Sequence, residues 1–240
     1  MAALRTLIAI PAHNEARTIE SVLGETRRAL PGADIVVVDD GSDDDTSERV
    51  RGCGAIAVRH ATNLGYGRAV QTALKYALAR GYETLVTLDG DGQHDPSTLP
   101  GLVGTFEERG YDLCIGSRYV SSRSYRGAPA GRQLGMRSFS ALTALLTGQR
   151  IYDTTSGFKA MRRTVFTPLV RWHFVDFHAE ALVYLLRLGF KVGEHPVVMR
   201  ERAHGQSMYS LLSSFKYPAK TLLLVALGLM QAEIERRHAA

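Results

Sequence analysis

The chain has 240 residues, 45% hydrophobic and 22% charged, with 23 glycines and 8 prolines. These proportions exclude a disordered tail and a collagen-like repeat, and suit one continuous α/β domain large enough to bury its own core. The net charge of +5 points to an anionic partner, whether nucleic acid, a phosphorylated substrate or a lipid surface, without choosing among them.

Only two cysteines are present, Cys53 and Cys114. Their spacing excludes a disulfide scaffold and a thiolate zinc site and fits a reducing cytosol. The apolar run Leu7 to Ile10 is too short for a signal-peptide core. The longer run Pro218 to Met230 is broken by Lys220 and falls short of the roughly 20 residues that span a bilayer.

In chain order, strands are expected at Thr6–Ile10, Ile35–Val38, Ala55–Val58, Thr84–Leu88 and Leu113–Ile115. Helical patterns lie between them at Thr18–Ala29, Thr46–Arg51, Gly67–Ala79 and Ser97–Glu108. Solid apolar strands separated by helices predict a mostly parallel central sheet with helices on both faces. Cap signals precede two of the helices, Ser42 with Asp43 and Asp95 with Pro96. Ser117 to Arg137 holds arginines 118, 123, 126, 132 and 137, has no acidic residue, and reads as a mobile basic loop. Helices at Ser138–Thr147 and Ala179–Leu188, a strand at Lys191–Val198 and one or two helices over Leu211–Arg237 complete the pattern.

Ligands collect at the carboxyl ends of such strands, and the polar clusters of this chain sit there. Asp89, Asp91 and Gln93 alternate on a glycine-broken turn after the fourth strand. Their oxygens suit one hard cation, Mg²⁺ or Mn²⁺, which takes its remaining ligands from water and phosphate. Two carboxylates this close repel unless a cation sits between them. Asp95 reads either as a further member of this group or as a helix cap. No glutamate follows at the twelfth position of an EF-hand loop, and His94 has no partners at zinc-ligand spacing. At the second strand end, Asp43 to Asp45 fit a helix N-terminus, whereas Asp39 and Asp40 are placed to accept from a nucleobase or a ribose hydroxyl. The Asn63–Ala69 loop lacks the third glycine of a dinucleotide fingerprint, and no P-loop is present. Arg118 follows the fifth strand, where its fork suits phosphate oxygens. Acidic clusters facing this basic loop would repel a nucleic-acid duplex, whereas a nucleoside diphosphate with a divalent cation satisfies both signs.

The stretches IPAHNE (10–15), VVDDGSDDDT (37–46), NLGYGRA (63–69), LDGDGQHDP (88–96), GSRY (116–119), DTTSGFKAMRR (153–163) and RAHGQS (202–207) together resemble the inverting family 2 glycosyltransferases of GT-A fold. Within them the chain looks most like the polyprenyl-phosphate sugar transferases, the dolichyl-phosphate mannose synthase group. The resemblance implies a catalytic domain over residues 1–210 that moves a hexose from a nucleotide sugar to a polyprenyl phosphate. It implies that Pro11, His13, Glu15, Val38, Asp40, Asp89 and Gly90 line the nucleotide pocket, and that Asp89, Asp91 and Gln93 hold the metal. Asp91, Arg118, Arg202 and Glu180 are the catalytic candidates. Arg118, Arg132, Arg202 and Ser207 would meet phosphates, while Asp153, Ser156 and Gly157 would shape the acceptor side.

A lipid phosphate is already anionic and needs no strong base. A soluble hydroxyl acceptor, the same-fold alternative, would need one, and Glu180 or Asp176 is the candidate; Glu180 reads equally as a helical surface residue. A non-catalytic basic module binding nucleic acid or membrane is the remote alternative. Many members of this group carry lysine after Gly-x-Ser, where this chain has Met208 after Ser207, one phosphate-pairing charge fewer. Residues 211–240 are expected to form an amphipathic segment without a membrane span, lying in a membrane interface or packing as a core or dimer helix. The expected location is the cytoplasm, with a peripheral seat on the membrane face if the acceptor is a lipid.

Overall fold

The computed structural model describes residues 5–120, 130–172, 174–200 and 211–239, with backbone alone for 130–134, 211–219 and 239. The strands are β1 (Thr6–Ala12), β2 (Asp34–Asp39), β3 (Ile56–Arg59), β4 (Thr84–Thr87), β5 (Leu113–Ser117), β6 (Lys159–Arg162) and β7 (Val192–Pro196). The helices are α1 (Ile19–Ala29), α2 (Thr46–Gly52), α3 (Tyr66–Ala79), α4 (Leu99–Glu108), α5 (Ala130–Thr147), α6 (Phe166–Arg171), α7 (Ala179–Arg187) and α8 (Leu211–Ala239).

Among the described residues the strands form one sheet in the order β3-β2-β1-β4-β6-β5-β7. β1 pairs in parallel with β2 and β4, and β2 with β3. β6 is antiparallel to both β4 and β5, and β5 pairs in parallel with β7.

Period-2 alternation divides the core between the two faces of the sheet. Leu7, Ala9, Val36, Val38 and Leu85 pack on one face against Ala69, Val70, Ala73 and Leu74 of α3. Ile8, Ile10, Ile35, Val37 and Val86 pack on the other against Ile19 and Leu23 of α1 and Leu102 and Phe106 of α4. Burying each such large side chain contributes about 1.5–3 kcal/mol relative to leaving it in water.

Four elements depart from the sequence expectation, one of them α6, where no helix was expected. β6 was not foreseen: four residues carrying Lys159 and Arg162 give no apolar run, yet β4 and β5 both hydrogen-bond to them. Residues 130–137, expected in the basic loop, are helical because α5 starts at Ala130; Arg123 and Arg126 lie outside the described residues. A 3₁₀ turn, Pro96–Thr98, precedes α4 with Asp95 as its cap, accepting from Ser97 N at 2.9 Å.

Candidate active site

The ends of β1, β2 and β4 are sewn together by side chains that terminate each strand. Asn14 N donates to Ser42 Oγ and Glu15 N to Thr46 Oγ1, each at 2.9 Å. Thr18 Oγ1 donates to the Gly90 carbonyl, also at 2.9 Å. Asn14 is left-handed (φ 57°), a conformation asparagine tolerates better than most residues.

Two of the residues expected to line a nucleotide pocket have side chains engaged by the protein itself. Val38 is fully buried and packs with Leu7, Ala9 and α3, so its side chain faces the core rather than a ligand: alternation along β2 sends it there. Asp40, expected to accept from a nucleoside, is 4% exposed and engaged by its own chain. Its Oδ1 pairs with His60 Nδ1 at 2.7 Å and accepts from Leu64 N at 2.9 Å, and its Oδ2 accepts from Gly65 N at 2.8 Å. Asp40 therefore clamps the Asn63–Gly65 loop. Asp39 is likewise consumed, by Ser42 N and Ser47 Oγ. Pro11 and Gly90 adjoin through backbone: a Cβ on Gly90 would stand 3.4 Å from the Pro11 carbonyl oxygen. His13 lies exposed at the rim, its Nδ1 3.0 Å from the Asp40 carbonyl. The Glu15 carboxylate accepts from Thr18 Oγ1.

At the end of β4, Asp91 Oδ1 accepts from Gln93 N at 3.0 Å and shapes the glycine-broken turn. The Gln93 carbonyl accepts from Arg200 N, and the Arg200 guanidinium reaches Asp95 at 2.7 Å; Asp95 is thus a cap and ion-pair partner. Asp89 is partly accessible, but its Oδ1 is buried without a hydrogen-bond partner. Burial pushes its carboxyl above the usual range against the pull of His94, with Asp91 adding to the rise. Gly157 closes the space beside it. A Cβ there would stand 2.6 Å from Asp89 Oδ1 and 2.8 Å from the Tyr66 hydroxyl, distances no real side chain tolerates.

Across from this turn, Arg118 and Asp153, expected to meet phosphate and acceptor, pair with each other. Arg118 Nε and Nη2 donate to the two Asp153 oxygens at 2.7 and 2.8 Å, and Nη2 also donates to Thr155 Oγ1. Asp153 is fully buried, and a buried carboxylate without such a fork would be costly. Burial opposes ionisation of both groups, but the pair overrides it, holding the guanidinium protonated and the carboxyl low. Ser156 is buried, and its carbonyl accepts from Lys159 Nζ.

Glu180 is neither a surface residue nor a free base. It is 2% exposed, and its oxygens accept from Asp176 N at 3.0 Å and His178 N at 3.3 Å. Burial raises its carboxyl, opposed by backbone donors. Asp176 pairs with Lys220 at 2.7 Å. The backbone of Arg132 lies in α5, while its side chain and the whole of Arg202, Ser207 and Met208 lie outside what the structure describes.

Three residues join the site that sequence reasoning did not single out. Lys159 is 1% exposed and donates from Nζ to the Phe177 carbonyl at 3.1 Å; burial lowers its amine to about 8 despite Asp89 and Glu180. Tyr66 donates to the Gly157 carbonyl at 3.4 Å, with its ring 5.7 Å from that of His178. Burial, reinforced by Lys159 and Arg118, lowers His178 to about 3. Phe177 between them is left-handed (φ 57°), a strained conformation that marks this wall of the cleft. The only advance signal was membership of NLGYGRA and SGFK for Tyr66 and Lys159.

Among the described residues no three His, Cys, Asp or Glu side chains form a group able to hold a metal on their own. Two carboxylates open to water and phosphate are instead the usual environment of Mg²⁺ or Mn²⁺, and the orphaned Asp89 oxygen fits that use.

The family model described as Glycosyl transferase family 2 matches residues 7–169. Polyprenol monophosphomannose synthase of Mycolicibacterium smegmatis is 34% identical over 86% of this chain and 81% of its own. Undecaprenyl-phosphate mannosyltransferase of Micrococcus luteus is 32% identical over 86% of this chain and 88% of its own. Among solved structures, Mycobacterium tuberculosis glucosyl-3-phosphoglycerate synthase bound to Mn²⁺, UDP and glucosyl-3-phosphoglycerate superimposes with a TM-score of 0.68 at 23% identity, covering 96% of this chain and 80% of that one. At that identity the likeness shows the fold, the mostly parallel α/β GT-A architecture.

Proposed function

The chain belongs to glycosyl transferase family 2 and is a glycosyltransferase; from that premise we propose that it moves a hexose from a nucleotide sugar, GDP-mannose or a UDP-hexose, to a polyprenyl phosphate with inversion at the anomeric carbon. The observation that carries this reading is Asp89, whose buried Oδ1 has no protein partner on the turn that also bears Asp91. With Gln93 these residues would hold Mg²⁺ or Mn²⁺ against the donor diphosphate. A bound cation there would offset the negative charge that gathers on the diphosphate as it leaves.

The chain's own residues supply the rest. Asp40 holds the loop that sets Tyr66 beside Asp89, and Gly157 leaves room for both. His13 and Glu15 rim the nucleoside end. Arg118, fixed by Asp153, and Lys159 behind the Gly157 turn are the described cations beside the acidic turn, and the resemblance adds Arg132, Arg202 and Ser207 as phosphate contacts outside the described side chains. An acceptor phosphate oxygen attacks the anomeric carbon in line with the departing diphosphate. That oxygen is already ionised, so no base is needed. Of the two carboxylates that would activate a hydroxyl, Glu180 accepts from backbone donors, while Asp176 pairs with Lys220 through Oδ1 and keeps a buried Oδ2 without a partner. The lipid phosphate is favoured over a soluble hydroxyl by the relatives, a polyprenol monophosphomannose synthase and an undecaprenyl-phosphate mannosyltransferase.

The test supplies purified protein and Mn²⁺ with GDP-mannose, UDP-glucose or UDP-GlcNAc and a polyprenyl phosphate. A lipid-linked sugar is expected from at least one donor; none from any would overturn the reading. Asp91→Ala is expected to lower kcat/KM by on the order of 100-fold and to abolish the Mn²⁺ dependence of donor binding. Unchanged binding would remove the metal assignment.

A further inference from the structure

Helix α8 is apolar on two opposite faces. Thr221, Val225, Gly228 and Ala232 turn toward the body and are buried. Gly228 meets backbone: a Cβ there would stand 2.8 Å from the Glu180 carbonyl oxygen. Two polar staples flank this seam. Lys220 reaches Asp176, and Glu235 accepts from Arg171 at 2.6 Å and from Trp172 Nε1 at 3.1 Å. The helix is thereby fixed to the segment from Arg171 to Glu180, which carries Phe177 and His178.

On the far side, Leu223, Leu227, Met230 and Ile234 are 63%, 43%, 62% and 41% exposed. With Leu222 and Ala226 they cover an arc of about 140° at 3.6 residues per turn, wider than the narrow seam a partner helix needs. Leu145 of α5, 82% exposed, adds to it across a groove of about 600 Å³. Exposed Arg187, Arg236 and Arg237 edge this surface; among the described residues the one acid on it, Glu233, is paired with Arg237 at 3.0 Å. A broad apolar arc with a basic rim complements an anionic bilayer, with the leucines in the acyl boundary and the guanidinium groups at the headgroups.

We propose that the outer face of α8 seats the enzyme on an anionic lipid surface, and that the Gly228–Glu180 contact and the Lys220–Asp176 pair hold the Arg171–Glu180 segment at a set height above it. The lipid-phosphate reading supplies the purpose of this seat, but the seat is measured without it.

The full chain is sedimented with vesicles of phosphatidylcholine alone and with added phosphatidylglycerol. Preferential binding to the anionic vesicles is expected. Leu227→Glu with Met230→Glu should weaken it by about tenfold or more. Arg236→Ser with Arg237→Ser, a change at exposed positions that leaves the apolar seam intact, should weaken it by about tenfold and reduce the anionic preference. Equal binding by wild type and both variants, or no sedimentation with either vesicle, would overturn the proposal. So would a wild-type dimer that the Leu227 and Met230 changes break while vesicle binding stays the same, since the face would then serve a second copy. Turnover of a detergent-dispersed polyprenyl phosphate separates the two readings. Turnover without vesicle binding sinks the seat alone, and vesicle binding without turnover of any lipid phosphate sinks the acceptor reading and supports the seat.

Discussion

At the scale of single residues, burial moves the titratable groups of the site away from their ordinary values. His178 is the clearest. Burial lowers it to about 3, against roughly 6.5 in an unfolded chain. Between those values the unfolded chain binds a proton that the native one refuses, so stability falls as pH drops from about 6.5 toward 3. His178→Asn is expected to flatten that limb of the unfolding free energy, by up to a few kcal/mol at its acid end, while leaving its slope above pH 7 unchanged. Denaturant titrations at a series of pH values give the slope directly. An acid limb as steep in the variant as in the wild type would place the proton uptake elsewhere. A neutral ring also suits its position: a charged imidazole beside Lys159 and Arg118 would add a third cation to a wall already balanced by Asp153.

Among the elements, the loop from Asn63 to Gly65 decides how the nucleotide end is read. If Asp40 served a nucleobase, Asp40→Ala would alter donor choice and leave the fold alone. The structure instead gives it His60 and two backbone donors, each costing about 1–3 kcal/mol if left buried and unpaired. Asp40→Ala is therefore expected to destabilise the chain by about 2–4 kcal/mol and to weaken binding of every nucleotide alike, because Tyr66 shifts with the loop. A change in nucleotide preference at unaltered thermal stability would restore the nucleoside reading. The parallel half of the sheet was legible in the sequence because strands buried on both faces must be apolar throughout, as Leu7–Ile10 and Ile35–Val38 are. The acidic turn was legible because Asp89 and Asp91 follow such a strand directly. β6 was not, since Lys159 becomes a buried strand residue only when the Ser156 and Phe177 carbonyls come to meet its amine. Val38 came with the resemblance, which does not say which way a side chain faces: one step along a strand reverses the face, and here it turns Val38 into the core. Arg118 and Asp153, 35 residues apart, carry no local sign that each is the other's partner.

For the whole molecule, the proposed reading brings a donor diphosphate between the acidic turn and Arg118 and Lys159, whose charges act on Asp89, so a nucleoside diphosphate and a divalent cation should bind together more strongly than either binds alone. Each ion removes the repulsion that opposes the other, and both engage only the folded state. Ligand at about 100 times its dissociation constant stabilises the native state by about 2.7 kcal/mol, and for a chain of this size each kcal/mol moves Tm by about 2–4 °C. GDP and UDP are therefore to be compared with and without Mn²⁺. One of the two is expected to raise Tm by about 5–10 °C with Mn²⁺ and by clearly less without it, and the base that does so identifies the donor class. Asp91→Ala should lose the Mn²⁺-dependent part of the shift, since its carboxylate is one of the two on the turn, while keeping the smaller shift due to nucleotide alone. Equal shifts with and without Mn²⁺ would mean that the arginines and Lys159 hold the diphosphate unaided, and no shift with either nucleotide would mean that this cleft is not where the donor binds.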